Sequence, residues 1–483
     1  MDPTIDHAAG ADAPRDPDDA AGVAAHDDRV YRSEPYLRTS EVPTIDLAEL
    51  RAAAGMDPDD GGDGVPPSGR GGDSGGGDDG GADEPKQSFR KRHPKLMVAA
   101  LVVVVLLIYP TVTYAQALRK EGNESLSART AEWARDMKLG FLVDKAEQQY
   151  YAKDEYQDGG TPDANAIGPV TSTSEGGSST TAGNKTTAPK ATIPHTPAPA
   201  KLVSPVDPPI EGEGDWTPLG PLTDGVAGVY TTKVRPNAQK TSLLVFVAWI
   251  DPKLTSIKLF PGTDLPGGTW NAPHYLTPEL CTNAIMASNG GFRMDQARGG
   301  YYAEGREPFP LRNGAASLVF FKDGHVDVGQ WGRDFNRDQL PEIESVRQNL
   351  ELMVDDGKPV PSISTDGDWG ALLPNSYFVW RSGYGITKDG ALVYAGGPAL
   401  QPADLARTLI NAGAVRMMEG DINPEWVSAH IYTKDESGKC KGTKALTQSQ
   451  DKGGMRQLDD RYLSTDTRDF VAVFAKPPAP PSS

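Results

Sequence analysis

Twenty consecutive uncharged residues, LMVAALVVVVLLIYPTVTYA from Leu96 to Ala115, constrain this chain more than any other feature. A run of about 20 predominantly apolar residues is long enough to cross a bilayer as a helix. Tyr109 and Tyr114 then fall near the far interface, where amphipathic aromatic rings prefer to sit. The run is too long for the apolar core of a cleaved signal and follows a long polar segment. Lys86, Arg90, Lys91, Arg92, His93 and Lys95 precede it, whereas Arg119 and Lys120 are followed at once by Glu121 and Glu124. The positive-inside bias predicts a cytoplasmic N-terminus, with everything beyond residue 116 outside. The expectation is a single-pass protein of the cell membrane whose C-terminal mass is extracellular.

Charge divides along the same line. The chain carries a formal charge of −18, from 48 basic and 66 acidic residues. Residues 1–85 hold 21 Asp or Glu against 6 Arg, so the rest of the chain is only about −3. That acidic, Gly-rich tail has too little apolar surface to offset the entropy of ordering and is expected to be disordered and cytoplasmic. Within it, residues 30–50 (VYRSEPYLRTSEVPTIDLAEL) hold enough Tyr, Val, Ile and Leu to serve as a docking motif for a cytoplasmic partner. The basic juxtamembrane segment 86–95 suits anionic lipid heads. Nucleic acid is excluded as a partner, since no basic domain and no aromatic-basic interleaving is present.

Beyond the membrane, Leu126, Trp133, Met137 and Phe141, widened by Leu142, Val143 and Ala146, trace one face of an amphipathic stalk helix over 123–151. Such a stripe suits self-pairing, docking on the downstream domain, or lying on the membrane, and the spacing does not choose. Residues 157–210, rich in Ser, Thr, Gly and Pro, predict a partly stiff extended linker. Residues 211–476, about 265 in number, suffice for one sizeable core. There, strand signals such as Ser242 to Ile250, Ala284 to Ser288, Phe378 to Trp380 and Val415 to Met418 outnumber helix signals. The clearest helix, Pro402 to Ala412, opens on proline and closes on Gly413. This pattern predicts an α+β fold around a mixed or antiparallel sheet with few helices. Residues 477–483 form a short disordered tail. Cys281 and Cys440 both fall on the extracellular side, where a disulfide between them is permitted.

Three motifs carry candidate chemistry. Ser288-Asn289-Gly290-Gly291-Phe292-Arg293 follows an apolar strand. Its paired glycines permit positive φ and backbone donors aimed at an anion or sugar oxygen. Asn289 offers donor and acceptor to a hydroxyl, and Arg293 could fork to a phosphate. Arg381-Ser382-Gly383-Tyr384-Gly385 reads as an arginine leaving a strand beside small residues, which suits bidentate phosphate recognition. Glu419-Gly420-Asp421 ends another strand. Residues two apart in extended chain point to one side, so both carboxylates would face one space, with Asn423 beside them. A close carboxylate pair suits acid and base or nucleophile work at an anomeric carbon. It could equally hold a divalent cation through oxygen ligands, although no metal or other cofactor is required by the pattern. Each motif alone is also compatible with an ordinary turn.

Taken in order, the N-G-G-F turn, the R-S-G-x-G hairpin, the helix start around Pro402-Ala403-Asp404-Leu405-Ala406 and the acid-bearing strand end resemble the phosphodiester glycosidase family over about Ala284 to Trp426. The resemblance implies an α+β domain that hydrolyses the bond between a sugar's anomeric carbon and a phosphodiester; with the domain outside the membrane, the expected partner is a cell-envelope glycan or sugar-phosphate polymer. It carries Asn289, Gly290 and Gly291 as the first motif, Arg381 and Gly385 as the second, and Asp421 as the acid. Glu419 or Glu425 would supply a second carboxylate. The family's glycine-rich loop after that acid is replaced here by Ile422-Asn423-Pro424-Glu425-Trp426, which brings bulk and removes a backbone donor. The alternative expectation is a glycan-binding or structural envelope protein of the same fold without catalysis.

Overall fold

A computed structural model describes residues 94–122, 124–151, 156–163, 166–168, 193–365, 367–370, 374, 377–446 and 459–476. The acidic tail, the motif at 30–50, most of the basic segment, the middle of the linker and the C-terminal tail lie outside these residues.

The fold is α+β, with mostly antiparallel sheet. Strands are numbered along the chain. The largest sheet has the order β1 (Thr217–Thr223), β2 (Val226–Val234), β3 (Val245–Ile250), β14 (Leu392–Leu400), β13 (Val379–Thr387), β15 (Ala414–Glu419), β11 (Leu352–Asp355), β12 (Lys358–Pro359). A second runs β7 (Arg306–Phe309), β6 (Tyr301–Ala303), β10 (Ile343–Gln348), β8 (Ala316–Phe321), β9 (Val326–Gln330). A third runs β17 (Cys440–Lys444), β16 (Ala429–Lys434), β5 (Ala284–Asn289), β18 (Phe470–Ala475), β4 (Thr255–Phe260).

The two-residue period of a strand explains how the large sheet serves two cores. Along β3, Phe246, Ala248 and Ile250 join a core with Ile285, Met286, Leu318, Phe320, Val471 and Val473 of the other sheets. The alternate residues Val245, Val247 and Trp249 join a second core with Leu405 and Leu409. The latter two sit on α5 (Pro402–Asn411), whose bounds follow from chemistry. Pro402 opens it, Asp404 accepts a backbone bond from Gln401, and Gly413 ends it at φ +96°. The Lys388-Asp389-Gly390 turn joins β13 to β14, with Gly390 at φ +84°. A disulfide joins Cys281, on the short α4 (Pro278–Cys281), to Cys440.

Several expectations are corrected. β13 continues to Thr387, so the R-S-G-Y-G motif lies within a strand rather than beyond one. Its glycines answer to close packing. A Cβ on Gly383 would crowd the Met418 carbonyl and Leu405, and one on Gly385 would meet Ala414. The single stalk helix is two helices, α2 (Leu126–Asp136) and α3 (Gly140–Tyr151). Lys138 turns left-handed at φ +63° between them, and Leu139 N–H bonds back to Ala134. The linker also ends earlier than its composition suggests. Leu202 is buried, and Thr196 bonds the Asp251 carboxylate through both N–H and hydroxyl.

A 26-residue helix, α1 (Pro94–Arg119), covers the apolar run. Among the residues whose side chains are described, no helix is long and apolar enough to cross a membrane. The side chains of 96–103 and 105–107 fall outside that set. α2 packs back on the end of α1, with Trp133 Nε1 donating to Thr113 Oγ1 and Trp133 lying 4.9 Å from the Tyr114 ring.

Candidate functional site

Strand ends from two sheets meet around Ser382. Its hydroxyl accepts from the Asn289 side-chain amide (3.0 Å) at the end of β5 and from Asp421 N–H (2.9 Å) just past β15. Its own N–H donates to the Asp421 carbonyl, and its carbonyl accepts from Gly420 N–H. Asn349, following β10, donates to the carbonyls of Glu419 (2.8 Å) and Gly420 (2.9 Å). Asn289, Arg381, Glu419 and Asp421, spread over more than 130 residues of chain, are therefore neighbours.

Arg381 and Glu419 are both fully buried and joined Nη1 to Oε1 at 2.5 Å. Two further guanidinium bonds go to carbonyls: Nε to Leu400 and Nη1 also to Trp369. Arg381 is therefore turned to an internal carboxylate and not to a ligand. The pairing is incomplete, since Arg381 Nη2 and Glu419 Oε2 are buried with no hydrogen-bond partner. Burial pushes the Glu419 carboxyl up to about 7, against Arg381 and with Asp421 adding to the rise.

Asn289 is equally committed. Its side-chain Oδ1 accepts from the Tyr394 hydroxyl (2.9 Å) and Ser428 N–H (3.0 Å), making it a bracket between sheets. Gly290 and Gly291 do not take positive φ. They are glycines because a buried ion pair, Arg347–Asp469 at 2.8 Å, leaves no room. A Cβ on Gly290 would run into the Asp469 carboxylate, and one on Gly291 would sit 3.1 Å from Arg347 Cζ and from Asn349.

Asp421 is buried as well, at 4% exposure. Its Oδ1 accepts from the N–H groups of Ile422 (2.8 Å) and Asn423 (2.9 Å). Burial raises its pKa, and Arg468 with those two N–H groups opposes the rise. Asn423 caps the turn, accepting from Glu425 N–H. Beyond it, Arg468 stacks over Trp426 at 4.1 Å. Arg293 pairs with Asp295, Glu132 and Asp136. Gly385 lies in the middle of β13, opposite Val393 and Met417, away from this cluster. Of the candidate residues, then, Asn289, Gly290, Gly291, Arg381, Glu419, Asp421 and Asn423 form a connected group, and Arg293 joins through the loop after β5.

Sequence reasoning missed Arg347, Asn349, Arg468 and Asp469. Only the last two carried a signal, as a charged pair directly before the apolar strand Phe470–Phe474. The Ile422 side chain fills the space beside Gly370. Among the described residues, no group of three or more His, Cys, Asp or Glu side chains could hold a metal ion.

No family model matches the chain, and no curated protein matches its sequence. Among solved structures, the catalytic domain of zebrafish N-acetylglucosamine-1-phosphodiester alpha-N-acetylglucosaminidase matches 52% of this chain and 82% of its own length, at 14% identity and TM-score 0.33. A hypothetical protein from Synechocystis matches 52% of this chain and 62% of its own, at 13% identity and TM-score 0.29. Both are weak, fold-level similarities.

Proposed function

We propose that the globular domain is a hydrolase of sugar-1-phosphodiester linkages, with Glu419 and Asp421 as its working carboxylates. One observation carries the reading: two buried acids two residues apart, their backbone held by Ser382 and Asn349, have unlike partners, Arg381 for Glu419 and two backbone N–H groups for Asp421. Glu419 is dry, with burial raising its carboxyl to about 7. A group poised there can protonate a leaving phosphate oxygen as the anomeric C–O bond breaks. Asp421, where Arg468 and two backbone N–H groups oppose the rise that burial causes, is suited as the carboxylate that stabilises or attacks the anomeric carbon before water completes hydrolysis. Arg381 positions Glu419, and phosphate recognition passes to Arg293 and Arg468, whose side chains keep slight exposure.

The substrate in this reading is a cell-envelope glycan or sugar-phosphate polymer. The run Leu96 to Ala115 and its flanking charges support placing the domain outside the cell on a single membrane helix. A second reading, a glycan-binding protein without turnover, is favoured by the enclosure of Glu419 and by Ile422 lying against Gly370.

One assay separates them. The full chain is offered glucosyl and N-acetylglucosaminyl 1-phosphodiesters, and the release of reducing sugar is followed. Asp421→Asn should lower kcat by at least 100-fold, and Arg293→Ala should mainly raise KM. Wild-type turnover by Asp421→Asn sinks the assignment, and saturable binding with no turnover in the native chain supports the second reading.

A further inference from the structure

The segment just after α1 lies across the loops that carry Asp421. Lys120 pairs with Asp264 at 3.0 Å, and Glu124 accepts from the Thr467 hydroxyl. The backbone N–H of Ser125 donates to Glu425 Oε1 at 2.7 Å. About two turns further along α2, the Glu132 carboxylate is shared by two arginines, contacting Arg293 through one oxygen and Arg468 through the other at 2.9 Å. Arg468 is 7% exposed, lies flat on Trp426, and keeps a second terminal nitrogen, Nη1, buried without a partner. A carboxylate clasped by two guanidinium groups, with a donor to spare, occupies the place of an oxyanion with more oxygens than a carboxylate has.

We infer that Arg293, Arg468 and Trp426 form a phosphate subsite beside Asp421, which Glu132 of α2 fills, so that a phosphate-bearing ligand and the docked helix exclude one another. The choice of phosphate rests on the phosphodiester reading above. Arg293 also contacts Asp136 and Asp295, and these stay available to steer its guanidinium after Glu132 leaves. The Glu132 carboxylate is about a quarter exposed in both contacts, and partly exposed ion pairs are individually weak, so exchange for another oxyanion, the singly charged phosphodiester or the more highly charged inorganic phosphate, is feasible. The same contacts make the membrane-proximal hairpin a sensor of occupancy, because its docking and the ligand share two arginines.

The full chain in detergent micelles is titrated calorimetrically with inorganic phosphate and, separately, with methyl α-glucosyl phosphate, while hydrogen exchange is read over residues 124–136. Glu132→Gln should tighten both ligands about tenfold. Either ligand at saturation should speed exchange across 124–136 in the wild type. Arg468→Lys and Arg293→Lys, each checked for a native melting profile, should weaken binding at least tenfold. Unchanged affinity in Glu132→Gln, or unchanged exchange at saturation, overturns the inference. Binding of inorganic phosphate alone, without the ester, also counts against it. Ligand binding that obeys Glu132 without any hydrolysis upholds the subsite and refutes the hydrolase; hydrolysis indifferent to Glu132 does the reverse.

Discussion

Replacing Glu419 by Gln should cost this fold little near neutral pH and should abolish a pH dependence that the native chain carries. Glu419 and Arg381 share one hydrogen bond, while Nη2 and Oε2 face no partner. A single bond between two fully buried ions returns less than their desolvation removes. Burial therefore outweighs the attraction of Arg381 and lifts the carboxyl from 4.5 to about 7. The native state binds this proton more tightly than the unfolded chain does. Its contribution is thus fully present below about pH 4.5 and is lost as the pH climbs through about 7. At ~1.4 kcal/mol for each pKa unit, the native chain gives up roughly 3 kcal/mol by about pH 8. Gln mimics the protonated carboxyl and escapes that loss. Urea unfolding followed by tryptophan fluorescence, with the disulfide intact, measures both proteins between about pH 5 and 8. The wild type should fall relative to Glu419→Gln by roughly 3 kcal/mol across that window. Should the variant instead lose the ~3–5 kcal/mol typical of an orphaned, well-paired buried ion, the attraction of Arg381 dominates. Glu419 would then be a fixed anion, and its proposed role as proton donor would fall with it.

Gly290→Ala should destabilise by ~1–3 kcal/mol in thermal denaturation, since its Cβ runs into the Asp469 carboxylate. Asp469→Ala should cost ~3–5 kcal/mol because it strands the buried Arg347, whereas Asp355→Asn, which breaks the half-exposed pair with Arg333, should cost under ~1 kcal/mol. Equal losses in the two chemical denaturations would contradict the burial argument. Replacing Cys281 and Cys440 together by Ser should lower stability by ~2–5 kcal/mol, given the sequence separation of 159 that the bridge closes. An unchanged urea midpoint would show that the bridge constrains nothing.

Much of the framework was legible locally. Strand alternation, the Gly390 turn and the Pro402–Gly413 helix all follow from steric preferences that act over a few residues. The acids at the end of β15 were likewise visible, because charge seldom follows an apolar run without ending it. The glycines misled for a physical reason. A glycine required by positive φ and one required by a neighbour's approach look alike in one dimension. Gly390 is the first kind, and Gly290, Gly291 and Gly385 are the second.

By itself the sequence determined the α+β class, the element types around the acids and the uncharged run that opens α1, since each depends on nearest neighbours along the chain. Only the tertiary structure decided that Arg381 serves Glu419, that Asn289 ties sheets together, and that Glu132 reaches Arg293 and Arg468. Those partnerships join residues from about 40 to more than 330 positions apart. A guanidinium takes whichever carboxylate the packed strand ends bring within reach, and local propensity carries no record of that choice.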